Sequence, residues 1–176
     1  MIKVVSVEEM RNIEKQADSA GTSYALMMER AGLGLSRVIQ EKFSESRDKK
    51  VVGLVGSGNN GGDTLVALAD LQKNGWDASV VLFKPRPRED TLLARVIDKG
   101  AEVLYLEEDS SNEKLDAWIS RSNVLLDGVL GTGTHLPLEI DLAKYLTQIA
   151  SITPLPTVVA VDCPSGLDCN SGETAP

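Results

Sequence analysis

Three short stretches of this 176-residue chain set acidic, amide and hydroxyl side chains among glycines, a mix suited to holding an anionic ligand and moving protons on it. The first, Gly56-Ser57-Gly58-Asn59-Asn60-Gly61-Gly62-Asp63, follows the apolar run Val51–Val55 and opens a helical stretch. Gly56, Gly58 and Gly61 form a G-x-G-x-x-G in the strand-to-helix context where glycines let backbone N–H groups approach a phosphate. A glycine-rich turn capped by Asn59 or Asp63 explains part of this stretch. Four glycines and two asparagines in eight residues exceed what a cap needs. The second stretch runs from Asp127 to Pro137 after the strand Asn123–Leu126, and its Gly131-Thr132-Gly133 offers backbone and hydroxyl donors. The third, Asp162-Cys163-Pro164-Ser165-Gly166-Leu167-Asp168, again sets an aspartate at the end of an apolar run. Either of the last two alone would pass as a polar turn. All three together should meet in one crevice.

The glycine loop is a poor dehydrogenase fingerprint. An ordinary dinucleotide fold carries an acid near the end of its second strand to hold ribose hydroxyls. Here that position reads Phe83-Lys84-Pro85-Arg86-Pro87-Arg88, which is basic. Asp63, at the helix start, would also repel a pyrophosphate that it faced. Lys84 could pair with a carboxylate or a phosphate, or be one solvated loop charge beside Arg86 and Arg88.

The elements that must position these loops alternate. Strands are expected at Val51–Val55, Ser79–Phe83, Glu102–Leu106, Asn123–Leu126 and Thr157–Val161, each a short apolar run of the kind buried on both faces. Between them lie helical stripes at Leu65/Leu68/Ala69, Leu92/Leu93/Val96/Ile97, Leu115/Trp118/Ile119 and Ile140/Ala143/Leu146. Strands separated by single helices imply right-handed crossovers and a parallel sheet. Residues 6–46 read as two further helices broken near Gly21. The first opens on a Ser6/Glu9 capping box and carries Met10, Ile13 and Ala17. The second carries Met27, Ala31, Leu35, Val38 and Ile39. The predicted fold is a Rossmann-like, three-layer, doubly wound α/β domain over residues 1–176 with an N-terminal helical extension. In such sheets ligands bind beyond the carboxyl ends of the strands, at the switch in strand order.

Composition narrows the function classes. Apolar residues make up 42% and charged residues 25%, and the net charge is −8. That balance lacks the basic surface a duplex nucleic-acid binder needs. It still permits a small anionic ligand held by backbone N–H groups. No apolar run is long enough to span a bilayer and no signal-type segment follows Lys3, so a cytoplasmic protein is expected. Two cysteines, Cys163 and Cys169, with one histidine, fit neither a disulfide scaffold nor a zinc pattern. Both cysteines are read as bystanders.

In order, Gly-Ser-Gly-Asn-Asn-Gly-Gly-Asp, Asp127 to Gly133 and Asp162 to Asp168 resemble the YjeF N-terminal domain family, the NAD(P)H-hydrate epimerases. Met28-Glu29-Arg30-Ala31-Gly32 is similar to that family's helical M-E-x-A-G. Thr64 departs from it, standing where a glycine is usual, and the chain stops at Pro176 where the family continues with further strands. The resemblance implies interconversion of the R and S hydrates of NADH and NADPH (NADHX and NADPHX), repaired in the S form by an ADP- or ATP-dependent dehydratase. It implies substrate contacts at Asn59, Asn60, Gly61, Gly62 and Asp63, at Gly131, Thr132, Gly133, Thr134, His135, Leu136 and Pro137, and at Asp162. It implies a potassium ion on Asn60, Asp127 and Ser165. Asp127 is the expected general acid/base, with Lys84 as a second catalytic residue. His135 is expected to line the substrate loop or face solvent. The resemblance also implies a domain truncated at its C-terminus, with a dehydratase domain fused in some parents and an uncovered sheet edge favouring a homodimer. A non-catalytic scaffold of the same fold is the alternative.

Overall fold

The computed structural model describes residues 3–87, 89–109 and 111–175; Arg88 and Pro176 lie outside the described residues. Five apolar runs form β1 (Lys50–Val55), β2 (Asp77–Leu82), β3 (Glu102–Tyr105), β4 (Val124–Gly128) and β5 (Thr157–Ala160). They pair in parallel in the order β3-β2-β1-β4-β5. Alternate residues of β1 face opposite layers, Val51 and Val55 one way, Val52 and Leu54 the other. The chain winds outward from β1 to β3, then returns to lay β4 on the other side of β1. The crossover at β1/β4 is the switch in strand order, where the loops leaving the two strands diverge and leave a crevice.

Three helices, α2 (Tyr24–Lys42), α3 (Asn59–Lys73) and α4 (Thr91–Ile97), supply one outer layer. On the other face lie α5 (Glu113–Ser120) and α6 (Ile140–Ser151). α3 sits between β1 and α2, which is why Leu65 to Ala69 are all buried rather than one stripe of them. The first helix, α1 (Val7–Ser19), keeps the expected capping box. Ser6 N–H donates to Glu9 Oε2 at 2.8 Å while Ser6 Oγ accepts from Glu9 N–H at 3.2 Å.

Two helices depart from the expected inward face, α2 in part, since Leu35 and Ile39 do pack on the core. α2 buries Gly32, Ser36 and Ile39, while Val38 is 57% exposed. Its contact with α3 is built on small residues: a Cβ on Gly32 would come within 2.5 Å of Val66 Cβ and 2.7 Å of the Asp63 carbonyl. Ser36 Oγ donates to Asp70 Oδ2 across the same seam at 2.8 Å. α6 packs through Leu142, Tyr145 and Ile149, leaving Ile140 73% exposed. Thr64 fits its buried place because its hydroxyl donates to the Asn60 carbonyl at 2.8 Å, one helical turn back. Among the described residues no helix is long and apolar enough to cross a membrane.

Candidate active site

Strand ends bring the three loops together. Gly56 N–H donates to the Gly128 carbonyl at 3.1 Å, joining the first loop to the second at the base of the crevice. There is no room for side chains at this seam, since a Cβ on Gly56 would collide with the Val129 carbonyl and one on Gly61 with the Gly56 carbonyl. Asn60 Nδ2 donates to the Leu130 carbonyl at 2.6 Å. The third loop closes on the second: Ser165 N–H donates to Asp127 Oδ2 at 2.8 Å and Ser165 Oγ to Asp127 Oδ1 at 2.5 Å. Ser165 Oγ in turn accepts from Leu130 N–H at 2.9 Å. Thr132 N–H donates to Asp162 Oδ2 at 2.9 Å. Asp162 holds this contact from a left-handed backbone, φ 69°, a conformation that aspartate tolerates better than most residues.

Two clefts adjoin over this seam and share Ser57, Val129, Leu130 and Gly133 in their walls. The larger, about 1030 Å³, is lined by Asn59, Asn60, Asp63, Gly131, Thr132 and Asp162, and roofed by Met10, Arg11, Glu14 and Lys15 of α1. The smaller, about 510 Å³, is lined by Lys84, Thr134, His135 and Pro137, with Phe83 and Tyr145 as its aromatic wall. His135 is exposed at that rim. Gly61 and Gly62 are buried in the start of α3, and Gly62 lies beneath Met28. They shape the site without lining it. The N-terminus of α3 has no side-chain cap, so its amides at Asn59 and Asn60 open toward the cleft.

Asp127, the expected general acid/base, and Asp63, an expected substrate contact, differ in kind. Asp127 lines none of the three main clefts, and both its oxygens are engaged by Ser165. Its geometry is that of a tie between loops. Asp63 instead faces the larger cleft and receives no hydrogen bond from the described residues. Burial, then the negative charges of Asp162 and Glu14, push its carboxyl up to about 6. Asp63 thus keeps its proton up to about pH 6 in a ligand-sized cavity, a property suited to an acid/base group.

Lys84 pairs with Glu139 at 2.9 Å, both side chains largely exposed. Arg86, in the same basic turn, is not a solvated charge. Its side chain is 9% exposed, pairing through Nε with Asp90 at 2.5 Å and donating through Nη1 to the Gly56 carbonyl at 2.7 Å. The signal was available: Asp90 lies four residues on, just before a helix, as an N-cap should. Asp168, the last residue of the third motif, accepts from Asn170 and Ser171 N–H and shapes a turn outside the clefts. Glu29 of the M-E-x-A-G stretch bridges α2 to α4 through Nη1 and Nη2 of Arg95, at 2.8 and 2.9 Å.

A buried oxygen stands without a partner at the centre of the seam. Asn60 Oδ1 accepts no hydrogen bond from the described residues, while its amide nitrogen is fixed by Leu130. Among the described residues no group of three or more His, Cys, Asp or Glu side chains could hold a metal ion. The oxygens gathered here are amide, carboxylate and hydroxyl, which suit a hard cation. Cys163, beside this seam, is buried, and burial together with a hydrogen bond from Cys169 pushes its thiol up to about 12.

Comparison with known proteins agrees with this arrangement. The sequence profile of the family described as "YjeF-related protein N-terminus" matches residues 24–176. A Cenarchaeum symbiosum protein named NAD(P)H-hydrate epimerase is 34% identical over 97% of this chain and 78% of its own length. A Pyrobaculum aerophilum protein named bifunctional NAD(P)H-hydrate repair enzyme Nnr is 33% identical over 98% of this chain, which spans 34% of that relative. The crystal structure of yeast ynu0 superposes with a TM-score of 0.87 at 22% identity, covering 99% of this chain and 75% of that one. With its three loops joined at the β1/β4 switch and the profile matched from α2 to the last residue, this chain belongs to the YjeF-related N-terminal family.

Proposed function

We propose that this chain interconverts the R and S hydrates of NADH and NADPH, the activity carried in the names of its relatives. The observation that carries the reading is Asp63, a proton-holding carboxyl facing a cavity large enough for a nucleotide half at the sheet's switch point. The hydrated nicotinamide occupies the larger cleft and the adenosine half the aromatic smaller one. The phosphates between them meet the free amides of α3 and, at the far side, Lys84.

Inversion at C6 breaks and remakes one C–O bond. Asp63 gives its proton to the departing hydroxyl as the ring nitrogen's lone pair closes to an iminium. The carboxylate so formed, with Asp162, stabilises the cationic ring. Water then adds from the opposite face and releases its proton to solvent, and Asp63 takes up a proton from solvent to reset the site. Asp127 and Ser165 position the loops rather than exchange protons with substrate. The orphaned Asn60 Oδ1, with Asp127 and Ser165, supports a potassium site in which the cation's charge draws the three loops together.

The S hydrate passes to an ADP- or ATP-dependent dehydratase, a step that the bifunctional names of two relatives support. Conversion of purified R-NADPHX to the S form, followed by proton NMR, tests the reading. Asp63→Asn should lose at least about a hundredfold in kcat, the usual contribution of a general acid. Full activity in that variant removes Asp63 from the chemistry, and no conversion by the parent chain removes the reaction.

A further inference from the structure

The two thiols stand in contact across the third loop. Cys169 Sγ lies 3.0 Å from Cys163 Sγ. Cys163 is buried at the end of the segment that leaves β5, and Cys169 is exposed on the returning tail. That tail is anchored independently on either side of Cys169. Ala175 N–H donates to the Gly166 carbonyl at 2.8 Å and Asp168 N–H to the Glu173 carbonyl at 2.9 Å, so the pair does not meet by chance of a loose end. Between the two cysteines lies Ser165, whose hydroxyl and amide hold Asp127 and Leu130. None of this depends on which substrate the clefts take.

We propose that Cys163 and Cys169 are a modification site, forming a reversible intrachain disulfide by exchange with a small-molecule disulfide of the oxidised-glutathione class. The exposed thiol reacts first: the Cys169 thiolate attacks one sulfur of the small disulfide, a new S–S bond forms, and one glutathione thiolate departs. Cys163, already against Cys169 Sγ, gives up its proton and displaces the second glutathione. The protein loses two electrons and two protons, and one glutathione disulfide becomes two thiols. The product clasps the tail to the segment leaving β5 and closes a short ring around Ser165, so the loops that Ser165 joins have less freedom to part.

The experiment treats the whole reduced chain with oxidised glutathione, then alkylates it under denaturing conditions and maps it by mass spectrometry. The parent is expected to lose both alkylatable thiols, retain no glutathione and yield a linked Cys163–Cys169 peptide. Cys163→Ser should stop with glutathione held on Cys169, and Cys169→Ser should leave Cys163 unreacted. The bridged parent should melt at a higher temperature than the reduced one, and dithiothreitol should reverse the change. Two surviving thiols, or glutathione resting stably on Cys169 of the parent, would overturn the bridge. A bridged form that melts no higher would overturn the clasp.

Discussion

Asp63 is protonated when most carboxyls are not because its surroundings withhold the stabilisation that a carboxylate needs. Its carboxyl receives no hydrogen bond from the described residues, part of its surface is closed, and Asp162 and Glu14 face it across a cleft whose cations, Arg11 and Lys15, sit on the outer helix. The folded state binds this proton more tightly than the unfolded chain does, so stability from this group is present below about pH 4 and is lost as pH rises through about 6. Asp63→Asn removes the penalty. After allowance for solvent reaching the side chain, the variant should be about 1–2 kcal/mol more stable than the parent at pH 8. The gap should close toward pH 4 in urea titrations. An equal gap at both pH values would mean that the carboxyl titrates normally. Asn60 poses the complementary case, an acceptor without a donor. Potassium chloride should raise the melting temperature above that in choline chloride at equal ionic strength, and Asn60→Ala should abolish the difference. A shift that survives in the variant places the ion elsewhere.

Among elements, those that pack by apolar area were legible in the sequence and those that pack by smallness were not. β1, β2 and β4 are buried on both faces and read as continuous apolar runs. The α2 face against α3 includes Gly32 and Ser36, which no hydrophobic periodicity registers, because the close approach to Val66 depends on what is missing. In α6 the choice of stripe depended on the helix's rotation, which sets Tyr145 edge-on against Phe83. The motifs showed which loops converge, and the sheet brought Asn60, Asp127 and Ser165 together at one rim. That Ser165 would engage both oxygens of Asp127 was not legible, since it depends on how the third loop folds back. Arg86 belongs to the same class, a charge whose burial is decided by the turn around it. Its pair with Asp90 ties the start of α4 to the Gly56 carbonyl. Burial pushes the Asp90 carboxyl up, but Arg86 and the Leu92 and Leu93 amides outweigh it and hold the group below its usual range. Arg86→Met should therefore destabilise the fold by about 2–4 kcal/mol, with Asp90 left buried and short of a partner. Adding Asp90→Asn should restore part of the loss. A change below about 0.5 kcal/mol would assign the pair to the surface class.

At the scale of the whole molecule, the strand order decides how long a ligand the site can take. Because β2 and β4 flank β1, the loops leaving β1 and β4 open two clefts on either side of one seam rather than a single pit. A ligand with two bulky ends and a charged middle fits that shape, and each end contributes binding that the other cannot replace. If binding of the remote half helps to fix the reacting ring, removing it lowers kcat as well as raising KM. Hydrated nicotinamide mononucleotide, which lacks adenosine, should therefore lose at least about tenfold in kcat/KM relative to the hydrated dinucleotide. ADP-ribose keeps the adenosine and both phosphates without the ring. It should compete with NADPHX, raising KM and leaving kcat unchanged, and Lys84→Ala should weaken its inhibition several-fold. Equal turnover of the mononucleotide hydrate, or inhibition by ADP-ribose that lowers kcat alone, would mean that the two clefts do not share one ligand.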